Sequence, residues 1–275
     1  MKRADLAHPD GRVSVLAAGP EVGPAVLALP GITCPAAAWA PMAARLAAEG
    51  LRVIVVDQRG RGRTTVGRGG YGVSRMAGDT AWVMRTLGLG YRTVVLGHSL
   101  GALVAARCAE ARRTVLVDPP LCPDGRPYPA AADDYVRMVG APPTAAEARR
   151  IHPDWAPGFA AAWAEALPSV RADAVREAHR DFHDGEFLRA WPALAGARTT
   201  LLYGAASDVV GEADAAALRA ANPAASVVRV PGAGHMVPFQ QPDAVVRAVG
   251  AAVEAAADDT IGSRTPWTEG IEAAR

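Results

Sequence analysis

Apolar positions in the first half of the chain fall into short β-branched runs separated by alanine-rich stretches. The runs are Arg12–Ala18, Ala25–Leu29, Arg52–Val56, Thr93–Leu96 and Thr114–Val117. They lack strict alternation, as suits strands buried on both faces. Between them, Pro41–Glu49, Ser74–Leu87 and Leu100–Ala111 read as helices. Strands separated by such helices predict parallel β-α-β units with right-handed crossovers, and so helices on both faces of one sheet.

The rhythm breaks after Asp118. Pro119, Pro120, Pro123, Pro127 and Pro129 lead the chain away from the sheet, and from about 131 to 191 the pattern offers only short helices. Strand-like runs resume at Thr200–Tyr203 and Ser226–Val230, followed by a final helix over Pro242–Ala256. The predicted architecture is an α/β core formed by residues 1–119 and 193–257, with a helical cap inserted at 120–192. Such an insertion is expected over the carboxyl ends of the strands, where open α/β sheets bind ligands. Residues 258–275 are polar and read as a flexible tail.

Composition narrows the function. A net charge of +1, from 29 basic and 28 acidic residues, argues against a nucleic-acid or membrane-surface partner. Three cysteines without close spacing argue against a disulfide framework or a zinc site. No signal peptide and no run of about 20 uninterrupted apolar residues is present. The expectation is a cytoplasmic protein acting on a small molecule without metal or organic cofactor. Nothing in the composition addresses its oligomeric state.

The strongest local motif is Gly97-His98-Ser99-Leu100-Gly101, directly after one predicted strand and opening a predicted helix. In that setting Gly-x-Ser-x-Gly forms a sharp elbow that lifts the serine hydroxyl clear of the sheet at a helix N-terminus. Ser99 is the candidate nucleophile. The Leu100 N–H is one candidate donor to a developing oxyanion. Pro30-Gly31-Ile32-Thr33 follows an earlier strand, and the Ile32 N–H is the candidate second donor.

His235 follows the last strand in Gly232-Ala233-Gly234-His235, and is the candidate base. Two carboxylates compete for the acid that orients it. Asp118 ends the strand after the elbow helix, and Asp208 follows the penultimate strand. The residues alone leave both open.

Taken together, these segments resemble the α/β-hydrolase superfamily to about residue 256. The chain is most similar there to the N-formylmaleamate deformylases, with a weaker likeness to the ring-cleavage hydrolases of vitamin B6 degradation. The resemblance rests on Leu29-Pro30-Gly31-Ile32-Thr33 with Pro35 and Trp39, on Val115-Leu116-Val117-Asp118-Pro119-Pro120 with Pro129, on Asp181-Phe182-His183, and on Ala233-Gly234-His235-Met236-Val237-Pro238. It implies a serine-nucleophile amide or ester hydrolase whose acid is Asp118. It also implies a deformylase of a small carboxylated amide. Thr33, Trp39, Arg180 and His183 are the candidate substrate contacts, with Arg180 the candidate carboxylate partner. Alternatives on this fold are a carboxylesterase or lactonase for neutral esters, a cofactor-free oxygenase or carbon–carbon hydrolase, and, last, a non-catalytic ligand-binding protein.

Overall fold

The structure, a computed structural model, describes residues 1–108 and 113–262. Eight strands form one sheet: β1 (Lys2–His8), β2 (Gly11–Ala18), β3 (Ala25–Leu29), β4 (Arg52–Val56), β5 (Val94–His98), β6 (Thr114–Val117), β7 (Thr199–Gly204) and β8 (Ser226–Val230). Their spatial order is β1-β2-β4-β3-β5-β6-β7-β8. The strands from β4 to β8 in that order run parallel, while β2 is antiparallel to both β1 and β4. In β3 to β6 nearly every side chain is buried, which is why their sequences read as continuous Val and Leu runs.

β1 is the strand that the hydrophobic pattern misses. It lies at the sheet edge, and its side chains are exposed or half-buried, so no apolar run marks it. Its pairing with β2 runs from Lys2 opposite Ala17 to His8 opposite Gly11.

Helices α1 (Ala40–Ala48) and α10 (Pro242–Gly262) pack on each other and against the sheet. Helices α2 (Val73–Thr86) and α3 (Leu100–Arg107) form a second such pair, and α9 (Glu212–Ala221) lies against β8. The final helix runs on through Gly262 rather than ending at Ala256, so 258–262 is helical; the rest of the expected tail lies outside the described residues. Residues 109–111 of the expected third helix also lie outside them.

Between β6 and β7 the described elements are helical: α4 (Ala132–Gly140), α5 (Ala145–Ile151), α6 (Phe159–Ala166), α7 (Ala172–Arg180) and α8 (Glu186–Ala190), with short 3-10 turns. Thr144 and Glu147 close a reciprocal capping box at the start of α5, each side chain bonding the other's backbone N–H. Backbone bonds tie this helical layer to the core, from Ala156 N–H to the Phe239 carbonyl at 2.7 Å, from Gly62 N–H to Ser169 and from Arg171 N–H to Gly60. Parallel pairing brings the loops after β3, β5, β6, β7 and β8 to one edge of the sheet, and the site forms there.

Candidate active site

Ser99 joins β5 to α3 at φ 53° and ψ −122°, a conformation that costs a non-glycine residue about 1–3 kcal/mol. The strain is imposed by packing. A Cβ on Gly97 would meet the Gly101 carbonyl oxygen at 2.2 Å, and one on Gly101 would meet that of Leu29 at 1.9 Å. Only glycine at both positions lets the elbow helix approach β3 so closely. The Ser99 N–H donates to the Val117 carbonyl at 2.9 Å, and the Ser99 carbonyl accepts from Ala102 at 2.8 Å. Leu100 is the first residue of α3, where helix geometry leaves the N–H without an intrahelical acceptor.

His235 Nε2 lies 3.1 Å from Ser99 Oγ, and its Nδ1 lies 2.7 Å from Asp118 Oδ2. With Nδ1–H donating to the carboxylate, Nε2 presents its lone pair to the serine hydroxyl. Asp118 is fully buried and also accepts from Gly204 N–H at 3.0 Å and from the Ser207 hydroxyl at 2.6 Å. Its backbone takes φ 46°, a left-handed turn that Asp tolerates better than most side chains. Asp208 is exposed, and the carboxylate on His235 belongs to Asp118. The strand order explains this. β6 lies beside β5, so Asp118 faces the elbow, whereas the loop after β7 reaches Asp118 through Ser207.

The Pro30–Thr33 loop lies directly against the elbow. A Cβ on Gly31 would come within 3.4 Å of Ser99 Cβ. Two side chains from the loop after β4 hold it from behind. Gln58 Nε2 donates to the Pro30 carbonyl at 2.7 Å, and Arg61 Nε donates to the Ile32 carbonyl at 3.0 Å. Arg61 is buried, and its Nη1 donates to the Arg59 carbonyl at 2.6 Å. Burial lowers its pKa to about 10, so the guanidinium stays charged at neutral pH. Asp57, also buried, pairs with Arg3 at 2.7 Å and accepts from Ala36 N–H at 2.6 Å. The Asp57–Gly62 segment therefore acts as the brace of the candidate oxyanion loop.

Tyr128 roofs the site. Its hydroxyl lies 3.4 Å from His235 Nε2. Burial pushes its pKa well above the usual phenol value, which keeps it a neutral O–H. His98 forms the floor. Its Nε2–H donates to the His235 carbonyl at 3.0 Å, and burial drives its pKa down to about 3. His98 is thus a neutral pin on the His235 backbone.

Above Ser99 opens a cavity of about 210 Å³, small for a ligand site and suited to a small molecule. Thr33 lines it together with Ile32 and Cys34. Tyr135 and Met138 of α4, His152, Trp155 and Trp163 complete the wall opposite. His152 stacks on Trp155 with centroids 3.9 Å apart.

Three expected substrate contacts lie elsewhere. Trp39 is fully buried in a 3-10 turn and packs in the core. Arg180 and His183 are exposed and do not line the cavity. The segment around them holds the helical layer in place instead. Asp181 accepts the Val73 N–H at the start of α2 at 2.6 Å, and Phe182 packs on Tyr128 with centroids 4.8 Å apart. Conversely, Tyr128, Tyr135 and His152 escape a reading of the sequence. Only the fixed Pro127-Tyr128-Pro129 tripeptide hints that one of them is held rigidly.

A family model described as the alpha/beta hydrolase family matches residues 26–248. The chain belongs to the alpha/beta hydrolase family. This hydrolase is 33% identical to the N-formylmaleamate deformylase of Pseudomonas putida over 239 residues, 83% of this chain and 88% of the relative. It is 28% identical to the 2-(acetamidomethylene)succinate hydrolase of Mesorhizobium japonicum over 272 residues, covering 90% and 93% of the two chains. Among solved structures it is similar to an N-formylmaleamic acid deformylase from Pseudomonas putida, with TM-score 0.78 and 31% identity over 90% of this chain and all of the other. No described helix is long and apolar enough to cross a membrane.

Proposed function

We propose that this hydrolase cleaves a small amide by acyl transfer through Ser99. The observation that carries the reading is the continuous chain from Ser99 Oγ through the His235 ring to Asp118, with distances of 3.1 and 2.7 Å. His235 Nε2 takes the Ser99 proton as Oγ attacks the carbonyl carbon. The Leu100 and Ile32 N–H groups stabilise the tetrahedral oxyanion. His235 then returns the proton to the leaving nitrogen, the carbon–nitrogen bond breaks, and an acyl-serine remains. Water, activated by the same imidazole, releases the acid and restores Ser99.

The names of the two relatives contain a formyl and an acetamido group, which supports a short acyl group on the serine. The narrow space between the Pro30–Thr33 loop and the elbow agrees with that size. A formyl amide would yield formate and the free amide or amine.

The test compares wild type with Ser99→Ala. Formate release is measured from N-formylmaleamate and formanilide, and nitrophenol release from p-nitrophenyl acetate. A fluorophosphonate should label the wild type alone, and at least one substrate should turn over only with Ser99 present. Turnover undiminished in Ser99→Ala, or a wild type that the fluorophosphonate does not label, would overturn the acyl-serine mechanism.

A further inference from the structure

The cavity beside Ser99 is walled without a formally charged side chain among the described residues. Its far side is aromatic and apolar. Trp155 meets Trp163 edge-on at 5.5 Å, and Met138 closes the third side. His152 lies against Trp155, and burial lowers its pKa below the ordinary imidazole value, which leaves it neutral at neutral pH.

The arginines of the helical layer are engaged elsewhere or face outward. Arg126 pairs with Asp214 at 2.9 Å, Arg176 pairs with Asp133 at 3.1 Å, and Arg137 pairs with Asp134. Arg149, Arg150 and Arg180 are exposed and absent from the cavity wall. Arg61 lies behind the Pro30–Thr33 loop with two of its nitrogens spent on backbone carbonyls. Charges act on the wall only from behind it: Asp208 bears on Tyr135, Asp154 on His152, and Arg61, across the Pro30–Thr33 loop, on Cys34. A carboxylate drawn into this space would shed its water without meeting a cation, at a cost of several kcal/mol.

Two residues of the wall, His98 and Trp163, each have a buried ring nitrogen without a partner among the described residues, His98 Nδ1 and Trp163 Nε1. The Trp163 indole N–H is buried and has no acceptor among the described residues. A buried donor left unpaired is costly, and a ligand oxygen would satisfy it.

We propose that the part of the substrate beyond the scissile carbonyl is a neutral, flat, apolar group held by Trp155, Trp163 and Met138. The substrate class is then an uncharged aryl or alkenyl amide, with an oxygen that accepts the Trp163 N–H, and not a carboxylated amide. This deepens the acyl-transfer reading and rests on it for the position of the reacting carbonyl.

Calorimetric binding to the full chain carrying Ser99→Ala tests the proposal without requiring turnover. The probes are formanilide, N-formylmaleamate and the methyl ester of N-formylmaleamate. Both neutral compounds should bind at least tenfold more tightly than the anion. Trp163→Phe keeps a flat ring and removes the N–H; it should weaken binding of the methyl ester, which carries oxygens beyond the scissile carbonyl, five- to tenfold. The proposal is overturned if N-formylmaleamate binds as tightly as its ester, or if neither neutral compound binds at millimolar concentration. Unchanged methyl ester affinity in a folded Trp163→Phe overturns the role of the indole. Failure of the acyl-transfer reading shows separately, as missing fluorophosphonate labelling of the wild type.

Discussion

Ser207 donates its hydroxyl to Asp118 Oδ2 at 2.6 Å, the same carboxylate oxygen that holds His235 Nδ1. The loop after β7 thus supplies a donor to the carboxylate rather than the carboxylate itself. Three substitutions separate the roles. Asp118→Asn should lower kcat by about 10⁴, because the amide stabilises the wrong imidazole tautomer. Ser207→Ala removes one hydrogen bond to a charged oxygen and should cost roughly tenfold. Asp208→Asn, at an exposed position, should stay within about twofold. Steady-state rates with p-nitrophenyl acetate would rank the three, and a large loss in Asp208→Asn alone would reverse the assignment.

Arg61 presents a different balance. A buried guanidinium that spends its bonds on the Ile32 and Arg59 carbonyls contributes little net stability, because desolvation offsets the bonds. Its effect should fall on the loop carrying the Ile32 N–H. Arg61→Met is therefore expected to reduce kcat by about 10- to 100-fold, with KM little changed and the melting temperature kept within a few degrees. Arg61→Lys should recover part of the rate. A collapse in melting temperature with normal kcat in the surviving protein would make the residue purely structural.

Ser99 and His235 are legible in the sequence because each lies in a short strand-end segment whose glycines dictate the local turn. The buried strands are legible for a related reason: burial on both faces leaves no room for polar residues. Apart from the family resemblance, the residues do not decide between Asp118 and Asp208, since the choice depends on β6 lying beside β5, and strand order leaves no local mark. β1 escapes because an edge strand needs no apolar run. The cavity wall escapes because a short helix such as α4 or α6 has several half-apolar faces. Which of them meets Ser99 is decided by distant anchors such as Asp181 on Val73 and Ala156 on Phe239. For the same reason Arg180, beside the distinctive Asp181-Phe182-His183, turns out to face away from the cavity.

Tyr128 is the residue whose role is hardest to see before the fold is known. Its neutral hydroxyl, 3.4 Å from His235 Nε2, can steady the imidazole before attack. Tyr128→Phe keeps the ring on Phe182 and removes only the O–H. It is expected to lower kcat about tenfold with a smaller change in KM. Parallel pH–rate profiles of wild type and variant provide the check. A structural role alone would leave both the rate and the profile unchanged.

His98 links the site to acid stability. Its folded pKa of about 3 lies below the ordinary imidazole value of 6.5, so the unfolded chain takes up a proton that the folded chain refuses between those values. The unfolded state then binds more protons, and stability falls as the pH drops from about 6.5 toward 3, by up to ~1.4 kcal/mol per pH unit for one such group. Above pH 6.5 both states are neutral and the contribution is fully present. His152 and His179, also lowered by burial, add to the slope in the same direction. His98→Gln removes the proton-binding site while keeping an amide N–H for the His235 carbonyl. Urea unfolding at pH 7.5, 6, 5 and 4 should therefore show a shallower loss of stability in His98→Gln than in the wild type. Parallel curves for the two proteins would mean that His98 is protonated in the folded state and is not held neutral by its burial.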